Sequence, residues 1–163
     1  HDALPISEGA QNGLASALAI GASLIAVISI VALINGVLGN FNLTLEKIFA
    51  YIFSPIGFLM GLTGEDMRLA GELLGSKLVM NEFIAFQKLG TVLSQLSERT
   101  GLILSISLAG FANFSSMGIC IAGISALCPE KRGVLSKLVF RAMIGGFTVS
   151  VLSAMIVGLI MLF

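Results

Sequence analysis

Charged residues are scarce in this sequence. Nine basic and nine acidic side chains make up 11% of its 163 residues, whereas soluble domains average about 25%. The hydrophobic fraction is 56% and the mean hydropathy is +1.03. A soluble globule of this size could not bury that much apolar surface, so the composition indicates an integral membrane protein.

Cysteine and histidine are also scarce, and tryptophan is absent. With only Cys120, Cys128 and His1 available, a zinc site of the Cys/His type is excluded. Eight helical residues would separate the cysteines by roughly 12 Å, which is too far for a disulfide. The formal net charge of zero gives no electrostatic footprint for binding nucleic acid.

The first residues do not look like a targeting segment. Residues 1–7 contain Pro5 and have neither a basic nor an apolar region, so they are not a signal peptide. We interpret residues 1–7 as a doubtful, non-native tail. The sequence starts with His1 rather than Met, so we interpret it as a fragment whose upstream part is missing.

Long uncharged runs near both ends predict transmembrane helices. Leu14–Ile34 is almost purely apolar over 21 residues, enough to cross roughly 30 Å of hydrocarbon. It defines a span within residues 8–40. Ala142–Phe163 is uncharged over 22 residues and defines a last span within residues 130–163.

Residues 41–62 favour a shorter, two-sided helix. Apolar residues fall at 45, 48, 49, 52, 53 and 56, which is the spacing of one helix face. Pro55 is expected to disturb any continuation. The segment is too short to span and fits an interfacial helix. The alternative is a loop helix packed on the protein body.

Residues 63–97 contain two short apolar runs around a polar tip. Each run has about 14 residues, or roughly 21 Å of helix, which is too short to cross the membrane. The runs meet at Met80-Asn81-Glu82. This pattern predicts a re-entrant helical hairpin, which is tolerated only inside protein or beside a wet cavity.

Two local sequence patterns add detail to the predicted hairpin. Thr63 with Asp66 three residues later predicts a capping box at the helix start. Gly71 and Gly75 would let the arms or a neighbouring element approach closely.

Residues 98–129 hold a span with a polar middle. From Thr100 to Pro129 there are 30 residues without a charge. Their midpoint nevertheless carries an asparagine and two serines, which compete for backbone groups. We therefore expect a discontinuous helix in two halves. The alternative is an ordinary span whose polar side chains bind a neighbouring helix. Together these elements predict an all-α integral membrane protein.

Basic residues set the expected orientation. Lys131, Arg132, Lys137 and Arg141 follow the discontinuous helix, with Glu130 as the one acid among them. Such a loop should face the cytoplasm. The hairpin would then enter the membrane from the outside.

The hairpin tip is a candidate binding element. Asn81 could cap the second arm, and the dipole of that arm would favour an ionised Glu82. An ionised carboxylate only accepts hydrogen bonds, so it suits sugar hydroxyls or a cation. The alternative is a structural ion pair with Lys77 or Lys88.

The discontinuous helix offers complementary groups. Asn113, Ser115 and Ser116 can each donate and accept hydrogen bonds, and Phe111 and Phe114 could stack on a flat ring. This mixture suits recognition of a sugar and a base. Discontinuous helices beside a re-entrant hairpin are typical of secondary transporters.

Two motifs carry a specific resemblance, and they occur in the right order and spacing. Gly75-Ser76-Lys77-Leu78-Val79-Met80-Asn81-Glu82-Phe83 resembles the second hairpin of the concentrative nucleoside transporter family. Gly110-Phe111-Ala112-Asn113-Phe114-Ser115-Ser116 resembles its broken-helix signature. The resemblance covers residues 8–163. It implies the second of two inverted repeats: a scaffold span, an interfacial helix, a hairpin, a broken span and a final span.

The resemblance also implies roles for these residues. Glu82, Asn113 and Ser116 would bind ribose, and Phe111 would line the nucleoside site. Asn81 and Ser115 are included as substrate-binding candidates. The family resemblance implies a homotrimer in the cell membrane, in contact with lipid, whose transport domain moves like an elevator.

The resemblance implies that the residues that couple transport to an ion gradient lie mostly outside this chain. Uptake would be driven by sodium or protons, with most of the ion site and the nucleobase contacts in the first repeat. We expect no cofactor and no resident metal. The coupling ion and the base preference are therefore not readable from this sequence.

Another secondary transporter of a polar solute is one alternative function, and two other function classes compete. A cation channel could use Glu82 as its selecting acid, but nothing in the sequence resembles a repeated filter. An intramembrane hydrolase could use Ser115 or Ser116, but only Lys77 or Lys88 could serve as its base. We therefore expect a transporter and not an enzyme.

Overall fold

The computed structural model describes residues 3–162, except the side chains of residues 3, 4, 16, 19, 20, 23, 24, 27, 122, 126 and 127. This part of the chain folds into α-helices: α1 (Ala3–Gly39), α2 (Leu45–Leu59), α3 (Gly64–Val79), α4 (Glu82–Val92), α5 (Glu98–Leu108), α6 (Phe114–Leu127) and α7 (Arg132–Ile160). Short 3-10 turns follow α4 and precede α7. The chain divides into two compact units, with the boundary between Leu45 and Glu46.

The first unit is built on α1. This helix has 37 residues, which makes it about 55 Å long. It contains the span predicted at Leu14–Ile34 and extends beyond it at both ends. Several side chains of that predicted span lie outside the described residues. After α1 the chain turns through Asn42, which has a φ of 56°, and the Leu45 amide donates to Asn35 Oδ1 at 2.8 Å.

The second unit begins with α2, which packs on α3 through Phe49, Ala50 and Gly57. The expectation that Pro55 disturbs the helix is wrong, because α2 continues to Leu59. Proline removes one backbone hydrogen bond, the one to the carbonyl four residues earlier. That residue is Tyr51, which is 88% exposed, so its carbonyl lies on the open side of the helix. The interfacial position of α2 stays a prediction.

The predicted hairpin is formed by α3 and α4, which have 16 and 11 residues and turn at Met80 and Asn81. The predicted capping box at its start is wrong. Thr63 is the N-cap but makes no side-chain cap hydrogen bond. Asp66 instead accepts a hydrogen bond from Thr100 Oγ1 at 2.7 Å, so its carboxylate joins α3 to the first turn of α5.

The two hairpin glycines allow a close approach of α2 and not of the other arm. A Cβ atom on Gly71 would lie 2.6 Å from the Ala50 carbonyl oxygen, and one on Gly75 would lie 2.2 Å from Phe49 Cβ. Such separations are far below contact distance, so any larger residue would force α2 and α3 apart.

The helix break predicted within residues 98–129 is present. α5 ends at Leu108 and α6 begins at Phe114, so an uninterrupted helix is ruled out. α7 runs beside both halves, and with the preceding turn it forms a 32-residue helical segment, Pro129–Ile160, long and apolar enough to cross a membrane.

The core of the second unit lies between α3, α4, α5 and α7. It is formed by buried apolar residues from these helices and from the turn after α2: Met60, Leu62, Ala70, Leu73, Leu74, Ala85, Leu89, Ile103, Leu104, Leu108, Val151 and Ala154. This core places the hairpin tip next to the break between α5 and α6.

Candidate functional site

The hairpin tip starts its second arm on an asparagine. Asn81 has extended backbone angles, and its side-chain oxygen accepts a hydrogen bond from the Ile84 amide at 3.0 Å. This bond satisfies one of the free amides of the first helical turn. The prediction that Asn81 caps this arm is confirmed, and Glu82 becomes the first residue of α4.

The second half of the broken helix starts on an asparagine too. The Ser116 amide donates to Asn113 Oδ1 at 2.7 Å, and the Asn113 amide donates to Ser116 Oγ at 3.1 Å. These reciprocal bonds form a capping box. The Ser116 hydroxyl also donates to the Asn113 carbonyl at 2.7 Å. Both residues are nearly inaccessible, at 1% and 3% exposure.

The tip and the break meet through a charged hydrogen bond. Asn113 Nδ2 donates to Glu82 Oε2 at 2.6 Å, across 31 residues of sequence. Glu82 stands in the first turn of α4 and contacts the N-cap of α6, so its carboxylate lies near the positive ends of two helix dipoles. Its other oxygen, Oε1, has no hydrogen-bond partner among the described residues. That oxygen can accept a hydrogen bond from a ligand.

Ser115 adds a second link between the two elements. Its hydroxyl donates to the Met80 carbonyl at the hairpin tip, at 3.2 Å. Phe111 lies within the break and Phe114 starts α6, and these residues are 54% and 46% exposed. The structure therefore brings Glu82, Asn113, Ser115 and Ser116 together at the tip that Asn81 caps. Phe111 lies two residues before Asn113 in the break.

The lysines of the hairpin do not pair with Glu82 among the described ion pairs. Lys88 Nζ lies 2.8 Å from Glu46 Oε1 and 3.3 Å from Ser76 Oγ. Lys77 Nζ donates to the Ser107 carbonyl at 2.8 Å. The structural ion pair considered as an alternative role for Glu82 is therefore not formed.

An apolar cavity of about 470 Å³ opens beside the break, between α6 and α7. Phe111 and Ser116 line it, together with Cys120, Met143 and Gly146. Its volume is in the range of small-molecule sites.

Both cysteines are free thiols, and within the described residues no group of three or more His, Cys, Asp or Glu side chains could hold a metal ion.

Sequence reasoning missed the backbone contribution to this site. The Met80 carbonyl, which accepts from Ser115, carries no signal in a side-chain pattern. This carbonyl is available to Ser115 because the last carbonyls at a helix end have no intrahelical partner.

The chain matches known proteins over nearly all of its length. The family described as "Na+ dependent nucleoside transporter C-terminus" matches residues 4–158. An uncharacterized transporter of Bacillus subtilis, YutK, is 40% identical over 160 residues, which cover 94% of this chain and 40% of that protein. Sodium/nucleoside cotransporter 1 of Sus scrofa is 34% identical over 185 residues, covering 98% of this chain and 29% of that protein.

Solved structures match as well. The structure of CNTnw in an inward-facing substrate-bound state superimposes with a TM-score of 0.88 at 35% identity, over 96% of this chain and 39% of that chain. This agreement confirms the all-α membrane fold with a helical hairpin and a discontinuous helix. The chain spans less than half the length of each of these relatives.

Proposed function

Because this chain belongs to the Na+ dependent nucleoside transporter family and matches its C-terminal part, we propose that it is the C-terminal part of a nucleoside:cation symporter. In this proposal its hairpin and broken helix supply the ribose-binding residues of the nucleoside site. The observation that carries the proposal is the contact between Glu82 Oε2 and Asn113 Nδ2, 2.6 Å apart. Within the described part of the chain, it leaves Glu82 Oε1 without a hydrogen-bond partner.

The chemistry of the cluster suits a ribose. A vicinal diol donates two hydroxyl protons, and an ionised carboxylate is a pure acceptor. The Ser116 hydroxyl uses its proton and one lone pair within the capping box, so one lone pair is left for a third hydroxyl. Charge-assisted hydrogen bonds of this kind are about twice as strong as neutral ones.

A flat aromatic group has a place next to this polar cluster. Phe111 directly precedes Ala112 and Asn113 in the break and is 54% exposed. A nucleobase joined to a ribose held at Glu82 could stack on such a ring. A hydrated cation needs no aromatic face, so the exposed ring favours a nucleoside over a channel ion at this site.

The proposal extends to the complete protein. Its uptake would be coupled to sodium or protons through residues outside this chain. The hairpin and the broken helix would belong to an elevator-type transport domain, and the protein would be a homotrimer spanning the cell membrane several times. The basic start of α7 would lie on the cytoplasmic side, following the positive-inside rule.

Uptake of labelled uridine by the complete protein in vesicles tests the site. We expect Glu82→Gln and Asn113→Ala each to lower uptake about 10- to 100-fold, because a hydrogen bond to a charged group contributes about 1.5–3 kcal/mol. Glu98→Gln is the matched control, since Glu98 is an exposed acid in the first turn of α5. Uptake that survives both site variants at the control level contradicts the assignment.

Ion substitution tests the coupling separately. Replacing sodium by choline, with and without an inward proton gradient, identifies the driving cation of the wild-type protein. Uridine uptake that is indifferent to both gradients contradicts the symporter proposal and leaves the ribose site standing.

A further inference from the structure

Lys77 is a buried cation that the proposed site does not use. It lies in the last turn of α3, three residues before the hairpin turn, and its side chain is 0% exposed. Burying an ammonium group without partners is very costly, so the groups around it must compensate the charge.

The ammonium group binds the end of the first half-helix. Lys77 Nζ donates to the Ser107 carbonyl at 2.8 Å, one residue before α5 ends at Leu108. The last carbonyls of a helix have no intrahelical partner, and this end carries the negative pole of the dipole. Lys77 also lies 5.6 Å from the centre of the Phe147 ring of α7, within range of a cation–π interaction.

Gly110, two residues after the end of α5, leaves room for this contact. A Cβ atom on Gly110 would lie 3.4 Å from Lys77 Nζ and 1.9 Å from Ser150 Oγ. The glycine therefore lets the hairpin lysine and α7 close around the break. Lys77 thus joins three elements: the first hairpin arm, the end of α5 and the middle of α7.

The hairpin places opposite charges on the two sides of one break. Lys77 meets the carbonyl end of α5, and Glu82, five residues later, meets the N-cap of α6. Each charge complements the pole of the half-helix that it faces. Lys77 and Glu82 form no direct ion pair among the described residues, so each charge is held by the half-helix that it contacts.

We propose that Lys77 is a positioning residue for the substrate site. Its resident positive charge holds the end of α5 against the hairpin and balances the ionised Glu82, so that the Glu82–Asn113 contact exists before any ligand binds. This inference rests on the proposed nucleoside site for its effect on affinity, but the charge coupling can be measured without a substrate.

Melting temperatures of the purified complete protein test the coupling. We expect Lys77→Met to lower the melting temperature, and we expect this loss to shrink when Glu82→Gln is already present. The reason is that removing one charge of a buried set leaves the other uncompensated. Lys137→Met, an exposed change on α7, should leave the melting temperature unchanged. Losses from Lys77→Met and Glu82→Gln that simply add would overturn the inference.

Uridine affinity of the same proteins tests the positioning role. We expect Lys77→Met to weaken binding at least about tenfold and Lys77→Arg, which keeps the charge, to recover part of it. A purely structural lysine would leave the affinity of the folded fraction at the wild-type value, and that result would contradict the proposal.

A second variant keeps the test decisive if Lys77→Met does not fold. Phe147→Leu removes the ring but keeps the charge and the hydrogen bond, and should weaken uridine binding about two- to fivefold. Wild-type affinity in that variant would overturn the inference. If uridine does not stabilise even the wild-type protein while Lys77 and Glu82 remain coupled, the proposed function fails and the coupling survives.

Discussion

The two breaks in the helices of this protein use the same device for different ends. At the hairpin tip and in the broken span, the second half-helix starts on an asparagine whose side-chain oxygen accepts a backbone amide. Among the described residues, the cap bond to the Ile84 amide is the one hydrogen bond that the Asn81 side chain makes. Asn113 also donates its Nδ2 group to Glu82, so one residue both starts a helix and orients a carboxylate.

The difference teaches that a cap and a binding group can be separated within one side chain. The oxygen of each asparagine fixes where the backbone becomes helical, and aspartate would do this equally well. Only the nitrogen of Asn113 points at Glu82. In the proposed site, the role of the break therefore depends on the amide group of Asn113 and not on the cap itself.

The largest expected effect comes from exchanging each asparagine for aspartate. Asn113→Asp keeps the cap but replaces a donor with an acceptor 2.6 Å from Glu82 Oε2, so two carboxylates would repel each other. We expect uridine affinity to fall about 10- to 100-fold. Asn81→Asp should change it less than about threefold, because the cap bond persists.

Binding of uridine to the purified complete protein measures both changes. Wild-type affinity in both variants would show that capping alone explains the asparagines, because aspartate keeps the cap. Both asparagines would then have the same structural role, that of a helix cap.

A smaller effect separates the two arms of the hairpin. Gly71 of α3 faces the Ala50 carbonyl at a distance that excludes a side chain, whereas Gly90 of α4 has open space around its Cβ position. We expect Gly71→Ala to destabilise the protein by about 1–3 kcal/mol through overpacking. Gly90→Ala should be neutral or slightly stabilising, since alanine favours helix.

Thermal unfolding of the two glycine variants in detergent checks this expectation. A similar melting temperature for both would mean that α2 moves away from α3 at little cost. The first arm would then be no more firmly held than the second.

The smallest effects concern the two serines that follow Asn113. Ser116→Ala removes the capping box and should cost about 1 kcal/mol. Ser115→Ala removes one 3.2 Å bond to the Met80 carbonyl and should cost about 0.5 kcal/mol, at the low end for a hydrogen bond. Denaturation of both variants measures the two losses of unfolding free energy. A larger loss for Ser115→Ala would contradict the expected order and would identify its bond to the Met80 carbonyl as the stronger contact.

Much of the fold was predictable because it follows local rules. Apolar runs too short to span, separated by Met80-Asn81-Glu82, indicated the hairpin, and polar residues in the middle of a 30-residue uncharged run indicated the break. Two expectations failed for different reasons. Pro55 does not interrupt α2, because the carbonyl that it leaves without a donor belongs to the exposed Tyr51. Asp66 forms no capping box with Thr63, because its carboxylate accepts a hydrogen bond from Thr100 instead.

The sequence by itself determined which segments are helical and where the hairpin turns and the long span breaks, since these depend on residues within one or two turns. It also narrowed the binding candidates to polar groups at membrane depth, because such groups are costly unless used. Only the tertiary structure decided the partners: Glu82 with Asn113 rather than a lysine, Lys77 with the end of α5, and Asp66 with Thr100. These partners are 30 or more residues apart, and periodicity carries no information about which distant group a side chain will meet.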